Sequence, residues 1–139
     1  MLPKWHILFG AIFSLIVYYF SQVSAFYILV LFLSSFLFDV DHYLFNLFRY
    51  GDVSLKKSYL RHKKLPRNHK PMTHIFHTIE FILLIGIMGY FSKLFLFVFI
   101  GIIFHSIIDL IDFAYYKKWG VREFFLTRYL FSKDKSKYF

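Results

Sequence analysis

Cysteine is absent from the 139-residue sequence, which excludes disulfides, iron–sulfur clusters and thiolate metal sites. Any metal site must therefore use nitrogen and oxygen ligands. Charged residues are also scarce, at 18% of the sequence, and acids are the rarer kind, with 8 Asp+Glu against 17 Lys+Arg and a net charge of +9. A soluble domain carries about 25% charged residues and fewer apolar ones. The composition therefore indicates a membrane protein.

Apolar residues make up 58% of the sequence and occur in long uninterrupted runs. A helix that crosses the hydrocarbon core of a membrane needs about 20 mostly apolar residues, and four runs approach that length. No internal repeat or low-complexity tract divides the chain. We predict an all-α fold, a single membrane domain over residues 1–139 with four transmembrane helices. The predicted spans cover approximately residues 5–21, 23–48, 72–91 and 94–116.

The basic residues indicate which side of the membrane each connection faces. All of them except Lys4 and Lys93 lie in the long loop at residues 49–71 or in the tail at residues 117–139. Lys and Arg in short loops stay in the cytoplasm. We therefore predict a multi-pass protein of the cell's inner membrane, with the loop, the tail and both termini in the cytoplasm.

The first span has an alternative interpretation. Lys4, the apolar run after it and the sequence Val23-Ser24-Ala25 also resemble a signal peptide with its cleavage site. The run is long and a second span follows at once, which favours a retained helix. Both interpretations leave the basic loop in the cytoplasm.

Two further segments are predicted to lie on the membrane surface. Residues 53–65 and 121–131 alternate basic residues with Leu, Tyr and Phe at helical spacing, which is typical of a helix on an anionic leaflet. The second is the predicted interfacial C-terminal helix. Membrane lipids and their anionic head groups are thus the expected partners. Membrane topology already explains the excess of basic residues, so nucleic-acid binding is not expected.

Acids occur where lipid chains are expected. Five of the eight acids lie within or at the edge of predicted spans: Asp39, Asp41, Glu80, Asp109 and Asp112. An acid near the centre of a membrane helix costs about 2.5–3.5 kcal/mol, so these groups need partners. Four histidines share the same spans: His42, His74, His77 and His105. Imidazoles and carboxylates together are suited to a divalent metal, with zinc as the first choice and manganese or iron as alternatives.

The spacing of these residues places them on common helix faces. His42 follows Asp39 by three residues and His77 follows His74 by three, while Asp109 follows His105 by four. Residues three or four apart share one face of a helix. By the predicted topology, all these groups lie towards the cytoplasmic ends of their spans, so we expect them to meet. Each residue also has a simpler interpretation, a hydrogen bond to a neighbouring helix or, for Asp109, an ion pair with a basic residue of the loop.

Three short motifs resemble one known family. They are Asp39-Val40-Asp41-His42, then His69-Lys70-Pro71-Met72-Thr73-His74, then Gly101-Ile102-Ile103-Phe104-His105 with Asp109 four residues on. These are similar to the D-x-D-H, H-R-x-x-T-H and G-x-x-x-H-x-x-x-D blocks of the YdjM-like inner-membrane metal-dependent hydrolases. The resemblance covers roughly residues 35–112, in the expected order. It implies a multi-helix membrane protein with a metal-dependent hydrolase activity.

Together, the cluster and the resemblance predict a hydrolase whose metal activates water. The predicted metal ligands are Asp39, His42, His74, His105 and Asp109. Three more residues are predicted either to bind the metal or to orient its ligands: Asp41, His69 and His77. By contrast, His6 and His62 are expected to be solvated or to lie at the membrane interface.

The remaining predicted roles concern proton transfer and the substrate. Glu80 or Asp112 is expected to act as general acid or base, a role suited to a buried carboxyl. Arg67 and Lys70 flank the predicted start of a helix at Pro71, whose positive end favours an anion. We therefore expect a lipid or lipid phosphate substrate at the cytoplasmic leaflet.

Two other functions use the same residues. One is transport of a divalent cation or a proton through the His/Asp set, although the sequence shows neither an inverted repeat nor a broken helix. The other is a di-iron lipid oxidase, which is hinted at by the His74-x-x-His77 pair. Such a site needs more histidines than the sequence offers.

Overall fold

The fold is helical, as predicted. The computed structural model describes residues 3–65 and 69–138, and within them the chain forms seven α-helices and one very short parallel strand pair. The helices are α1 (Pro3–Ser21), α2 (Ala25–Leu37), α3 (Val40–Tyr50), α4 (Leu55–Lys64), α5 (Ile79–Phe91), α6 (Lys93–Tyr116) and α7 (Leu126–Leu130). The strands are β1 (Met72–Thr73) and β2 (Arg122–Glu123), and 3₁₀ turns occur at Ile75–His77, Trp119–Val121 and Lys135–Lys137.

Two helices, α1 and α6, are long and apolar enough to cross a membrane, and the pair formed by α2 and α3 is a third candidate. Their outer surfaces are apolar: Leu15 on α1 is 66% exposed and Ile111 on α6 is 61% exposed. Their inner surfaces include buried polar groups, among them His6 and Asp109. This distribution fits a protein whose surroundings are lipid.

The structure does not confirm four spans. In place of one helix over residues 72–91, residues 72–78 form β1 and a 3₁₀ turn, and only Ile79–Phe91 is α-helical. Thr78 caps this helix by accepting a hydrogen bond from the Phe81 amide. At 1.5 Å per residue, 13 residues extend about 20 Å, which is less than the roughly 30 Å of a hydrocarbon core.

The second predicted span is broken, which the sequence did not reveal. Helix α2 ends at Leu37, and α3 begins at Val40 with a bend of 40° between the two helices. Asp39 lies at the break, next to the first turn of α3 that contains Asp41 and His42. The break therefore presents several potential ligands from one short segment.

Small residues let α1, α2 and α6 approach closely. A Cβ added at Gly10 would lie 2.0 Å from the Ser35 Oγ, and a Cβ added at Gly101 would lie 2.7 Å from the Leu31 carbonyl oxygen. Close helix contacts of this type are common in membranes. One helical turn from these contacts lie His6, Asp39 and His105. The tight packing thus brings two imidazoles and a carboxylate together.

The connections after α3 follow local rules. Gly51 ends α3 in a left-handed conformation (φ 65°), which glycine adopts at little cost. Ser54 then caps α4 by accepting a hydrogen bond from the Lys57 amide. The basic helix predicted over residues 53–65 is therefore present as α4.

The predicted interfacial helix at residues 121–131 is wrong over its first part. Arg122 and Glu123 pair as β2 with Met72 and Thr73, and both are buried, at 9% and 6% exposed. Only Leu126–Leu130 is α-helical. The helical periodicity of the segment was misleading because the buried pairing with β1 overrides it. This pairing places Arg122 beside the polar interior.

Candidate metal centre

Histidine and aspartate side chains from four parts of the chain meet inside the fold. They come from α1, from the α2–α3 break, from the turn before α5 and from α6. We call the following residues the central cluster: His6, Asp39, Asp41, His77, His105 and Asp109. Each side chain in this cluster is at most 8% exposed. The predicted meeting of acids and imidazoles is confirmed for these elements.

Two imidazoles face each other at the centre. The Nε2 atoms of His77 and His105 lie 3.0 Å apart. The other ring nitrogen of His105 lies 2.9 Å from the Ser35 carbonyl oxygen, which can only accept, so His105 Nδ1 donates and Nε2 presents a lone pair. On His77, the Nδ1 atom lies 3.5 Å from the Asp41 carboxylate, and a hydrogen bond between the two Nε2 atoms requires that His77 donates.

Two carboxylates complete the inner ring. Asp39 Oδ1 lies 3.6 Å from His105 Nε2 and 3.9 Å from His77 Nε2. On the α6 side, Asp109 Oδ2 lies 3.7 Å and 4.0 Å from the same two nitrogens. Ligands at about 2.0–2.1 Å from a tetrahedral zinc ion lie about 3.3 Å from one another. The Nε2–Nε2 distance of 3.0 Å is shorter than that and the four carboxylate–imidazole distances are longer, and the potential ligands that lie within 4.8 Å of one another on this side are Asp39, His77 and His105.

His6 belongs to the cluster, so its prediction as a solvated or interfacial residue is wrong. Its side chain is fully buried, its Nε2 atom lies 3.2 Å from Asp109 Oδ1, and its ring stacks on His105 with centroids 4.0 Å apart. Together with His105 and Asp109 it forms a second possible metal-binding triad, beside that of Asp39, His77 and His105. Its position four residues before Gly10, on an apolar helix, was the signal in the sequence.

Three outer imidazoles, His42, His62 and His74, extend the cluster. The His42 ring lies 4.0 Å from that of His74 and 4.4 Å from that of His62, and its Nε2 atom lies 3.6 Å from Asp39 Oδ1. His62, which we expect to be solvated or interfacial, is half-buried on α4 with its ring packed on His42. Burial lowers the pKa of His62 to about 4, so this imidazole is neutral near pH 7.

Arg122 is a residue of the candidate site that the sequence interpretation missed. Its Nη2 atom lies 2.8 Å from Asp109 Oδ2, and its side chain is 8% exposed. Arg122 makes the ion pair with Asp109 that the sequence analysis assigned to a basic residue of the loop. With the carboxylates of Asp39, Asp41 and Asp109 ionised, three negative charges face one guanidinium, which leaves a net charge of −2. A buried excess of this kind favours a divalent cation.

A cavity of about 380 Å³ borders the outer imidazoles. Its wall includes the cations Lys63, Lys118 and Arg122, together with Asp112. The rest of the wall is mainly apolar or imidazole: Trp5, His42, His62, Leu65, His69, Met72, His74, Phe113, Tyr116 and Val121. The cavity therefore offers a basic and aromatic space next to the possible ligands.

The predicted proton-transfer residues occupy different places. Glu80 accepts hydrogen bonds from the Leu126 amide and from the amide and hydroxyl of Thr127, so its carboxylate holds the start of α7. It is half-buried, and the premise of a buried carboxyl does not hold for it. Asp112 lines the cavity and accepts a hydrogen bond from Lys118 at 3.2 Å. Asp112 fits a catalytic position better than Glu80.

Two loop residues with predicted roles, His69 and Lys70, lie in the described part of the chain. Lys70 donates a hydrogen bond to the Ser136 carbonyl, and Arg67 lies outside the described residues. The imidazole of His69 lines the cavity and contacts the Lys70 carbonyl through Nδ1. Its role as a ligand stays a prediction.

Comparisons with family models, with curated proteins and with solved structures give no match for this chain. Its chemistry therefore has to be inferred from its own residues.

Proposed function

We propose that this protein is a membrane-embedded, metal-dependent hydrolase. The observation that supports this most is the convergence of His77 and His105, whose Nε2 atoms lie 3.0 Å apart. When both Nδ1 atoms are protonated, the two Nε2 lone pairs converge in a buried space and a shared divalent cation stabilises them. Without a cation, the same distance fits a hydrogen bond from His77 Nε2 to His105 Nε2.

The donor set fits a zinc-like ion. Two imidazole nitrogens and the carboxylates of Asp39 and Asp109 are nitrogen and oxygen ligands of the kind that zinc accepts, with manganese or iron as alternatives. Asp41 and the Ser35 carbonyl would hold the two imidazoles in the ligating tautomer. A divalent cation bound here would supply Lewis-acid activation of water and of the scissile bond.

The other residues have roles that follow from their positions. Asp112 faces the cavity, where its carboxylate can accept or return a proton, and the hydrogen bond from Lys118 at 3.2 Å orients it. His42 and His74 lie between the cavity and the central cluster. They can orient a substrate or provide further ligands.

A lipid or a lipid phosphate is the substrate class we propose. The cavity combines cationic side chains with aromatic and aliphatic ones such as Trp5 and Phe113, which suits a molecule with an anionic head and an apolar body. The resemblance to YdjM-like hydrolases supports the reaction type. The positive residues of α4 and the tail support a site at the cytoplasmic leaflet.

Transport of a divalent cation is the second candidate function. A broken membrane helix argues for transport, and the break at Asp39 between α2 and α3 supplies the feature that the sequence did not show. The same ligands would then hold the ion in transit.

One experiment separates the two functions. The protein is purified in a non-ionic detergent, its metals are measured by elemental analysis, and it is assayed against lipid phosphates before and after chelation, with His105→Ala as control. Hydrolysis that chelation abolishes and zinc restores supports the enzyme. Metal uptake into proteoliposomes without hydrolysis supports transport, while a protein that binds no divalent metal contradicts both.

A further inference from the structure

Arg122 lies at the boundary between the central cluster and the cavity. The pairing of Arg122 with Met72 in the β1–β2 pair fixes its backbone, and its guanidinium lies 4.7 Å from the centre of the Phe113 ring. One end of the guanidinium contacts Asp109 at 2.8 Å, and the side chain also lines the cavity. This arginine therefore connects a possible metal ligand with the space where a substrate can bind.

More cations than acids line the cavity among the described residues. Three cationic side chains line it, against one acid among the described residues, Asp112, which is already paired with Lys118. A guanidinium has five N–H donors in a rigid fork, and Nη2 lies 2.8 Å from Asp109. The fork can therefore hold Asp109 and an oxyanion at the same time.

We propose that Arg122 is the residue that recognises an anionic substrate, by binding the oxygens of a phosphate group in the cavity. This proposal rests on the proposed function, because it places the phosphate beside the metal-binding cluster. It transfers the anion-binding role from Arg67 and Lys70 to Arg122. Lys63 is exposed, so water weakens its attraction for an anion, whereas the Arg122 side chain is 8% exposed. Charge-assisted hydrogen bonds are stronger in such a site.

The test measures phosphate binding directly and does not depend on turnover. Inorganic phosphate, short-chain phosphatidic acid and uncharged diacylglycerol are titrated by calorimetry into detergent-purified protein, with and without zinc. The parent protein is compared with Arg122→Gln, Arg122→Lys and the control Arg128→Gln. Arg128 is also basic and also contacts an acid, Glu123 at 3.6 Å, but its side chain is 74% exposed.

We expect Arg122→Gln to weaken phosphate binding by about 10- to 100-fold, which is the contribution of a charge-assisted hydrogen bond. Arg122→Lys should lose less, because lysine keeps the charge and lacks the fork. The control Arg128→Gln should bind like the parent protein. Weaker binding of both phosphate compounds supports a site for the shared phosphate group, and weaker binding of phosphatidic acid alone identifies the lipid head group as the source.

Zinc content and melting temperature are measured for every variant. If Arg122→Gln unfolds or loses zinc, the phosphate affinity of Arg122→Lys is compared with that of the parent instead. A phosphate affinity of folded Arg122→Gln within twofold of the parent would overturn the proposal; where Arg122→Gln does not fold, an affinity of Arg122→Lys equal to that of the parent would overturn it. A parent protein without zinc contradicts the proposed function alone, and the titrations without metal then decide the role of Arg122.

Discussion

His77 Nε2 lies 3.0 Å from His105 Nε2, while the Ser35 carbonyl oxygen accepts a hydrogen bond from the opposite nitrogen of His105. His105 therefore cannot donate through Nε2. The contact is favourable when His77 Nε2 donates to His105, or when a cation lies between the two Nε2 atoms and His77 carries its proton on Nδ1, 3.5 Å from the Asp41 carboxylate. The metal that we propose here therefore requires His77 to hold its proton on Nδ1.

The first prediction concerns the two facing imidazoles. We expect His77→Ala and His105→Ala each to remove most of the bound metal, because each contributes a nitrogen to the inner ring. The matched control is His62→Ala, whose ring packs on His42 outside the inner ring and which should leave the metal in place. Elemental analysis of the purified variants measures the effect. Equal metal in all three variants would show that the inner ring does not bind it.

The second prediction distinguishes Asp39, a proposed metal ligand, from Asp41, which contacts the imidazole of another proposed ligand. Asp39→Asn should remove the metal, because an amide oxygen is a much weaker ligand than a carboxylate. Asp41 instead lies 3.5 Å from His77 Nδ1, so Asp41→Asn should reduce metal affinity by about 10- to 100-fold and leave the stoichiometry intact. Competition with a chromogenic chelator measures the metal affinity and the stoichiometry of each variant. An equal loss in the two variants would contradict this division.

Much of the site could be predicted because charge in an apolar sequence is conspicuous. Asp39, His105 and Asp109 stand out in long hydrophobic runs, and helical spacing places the last two on one face. The all-α class follows from the same runs. Local patterns of this kind need no knowledge of how the helices pack.

The features that the sequence did not predict depend on contacts between residues far apart in the chain. The β1–β2 pairing brings Arg122 to Asp109 and shortens the third predicted span, yet two residues in each strand give no recognisable strand pattern. The burial of His6 depends on the close approach of Gly10 to Ser35. The break at Asp39 has neither glycine nor proline to indicate it. Tertiary contacts decide all three features.

The third prediction tests the close helix packing. We expect Gly101→Ala to destabilise the fold by about 1–3 kcal/mol, because its Cβ would lie 2.7 Å from the Leu31 carbonyl oxygen and α2 must move. Metal affinity should also fall, since His105 lies one turn away. The control is Gly120→Ala, where a Cβ meets no atom within 4 Å. Thermal unfolding in detergent compares the two, and equal melting temperatures would argue against tight packing.

The fourth prediction concerns topology. The sequence has no cysteine, so a single introduced cysteine can be labelled without background. Lys57→Cys in α4 should react only from the cytoplasmic side, and Lys93→Cys at the start of α6 only from the other side. Lys57 is suited to this test because its side chain is 71% exposed, whereas its neighbour Ser58 is buried. Labelling of both positions from the same side of intact cells would contradict the predicted orientation.

The last prediction distinguishes the two acids that the sequence offered for proton transfer. Asp112 lines the cavity beside Lys118, whereas Glu80 binds the first amides of α7. Asp112→Asn should therefore keep the metal and lower turnover by about 10²–10⁴-fold, as the loss of a general acid or base does. Glu80→Gln should keep turnover and lower the melting temperature, because it weakens the attachment of α7.

Metal content, melting temperature and hydrolysis of a lipid phosphate are measured on both variants. Loss of turnover in Glu80→Gln with full activity in Asp112→Asn would reverse the assignment, because a carboxylate engaged only in holding α7 has no way to move a proton at the reaction centre.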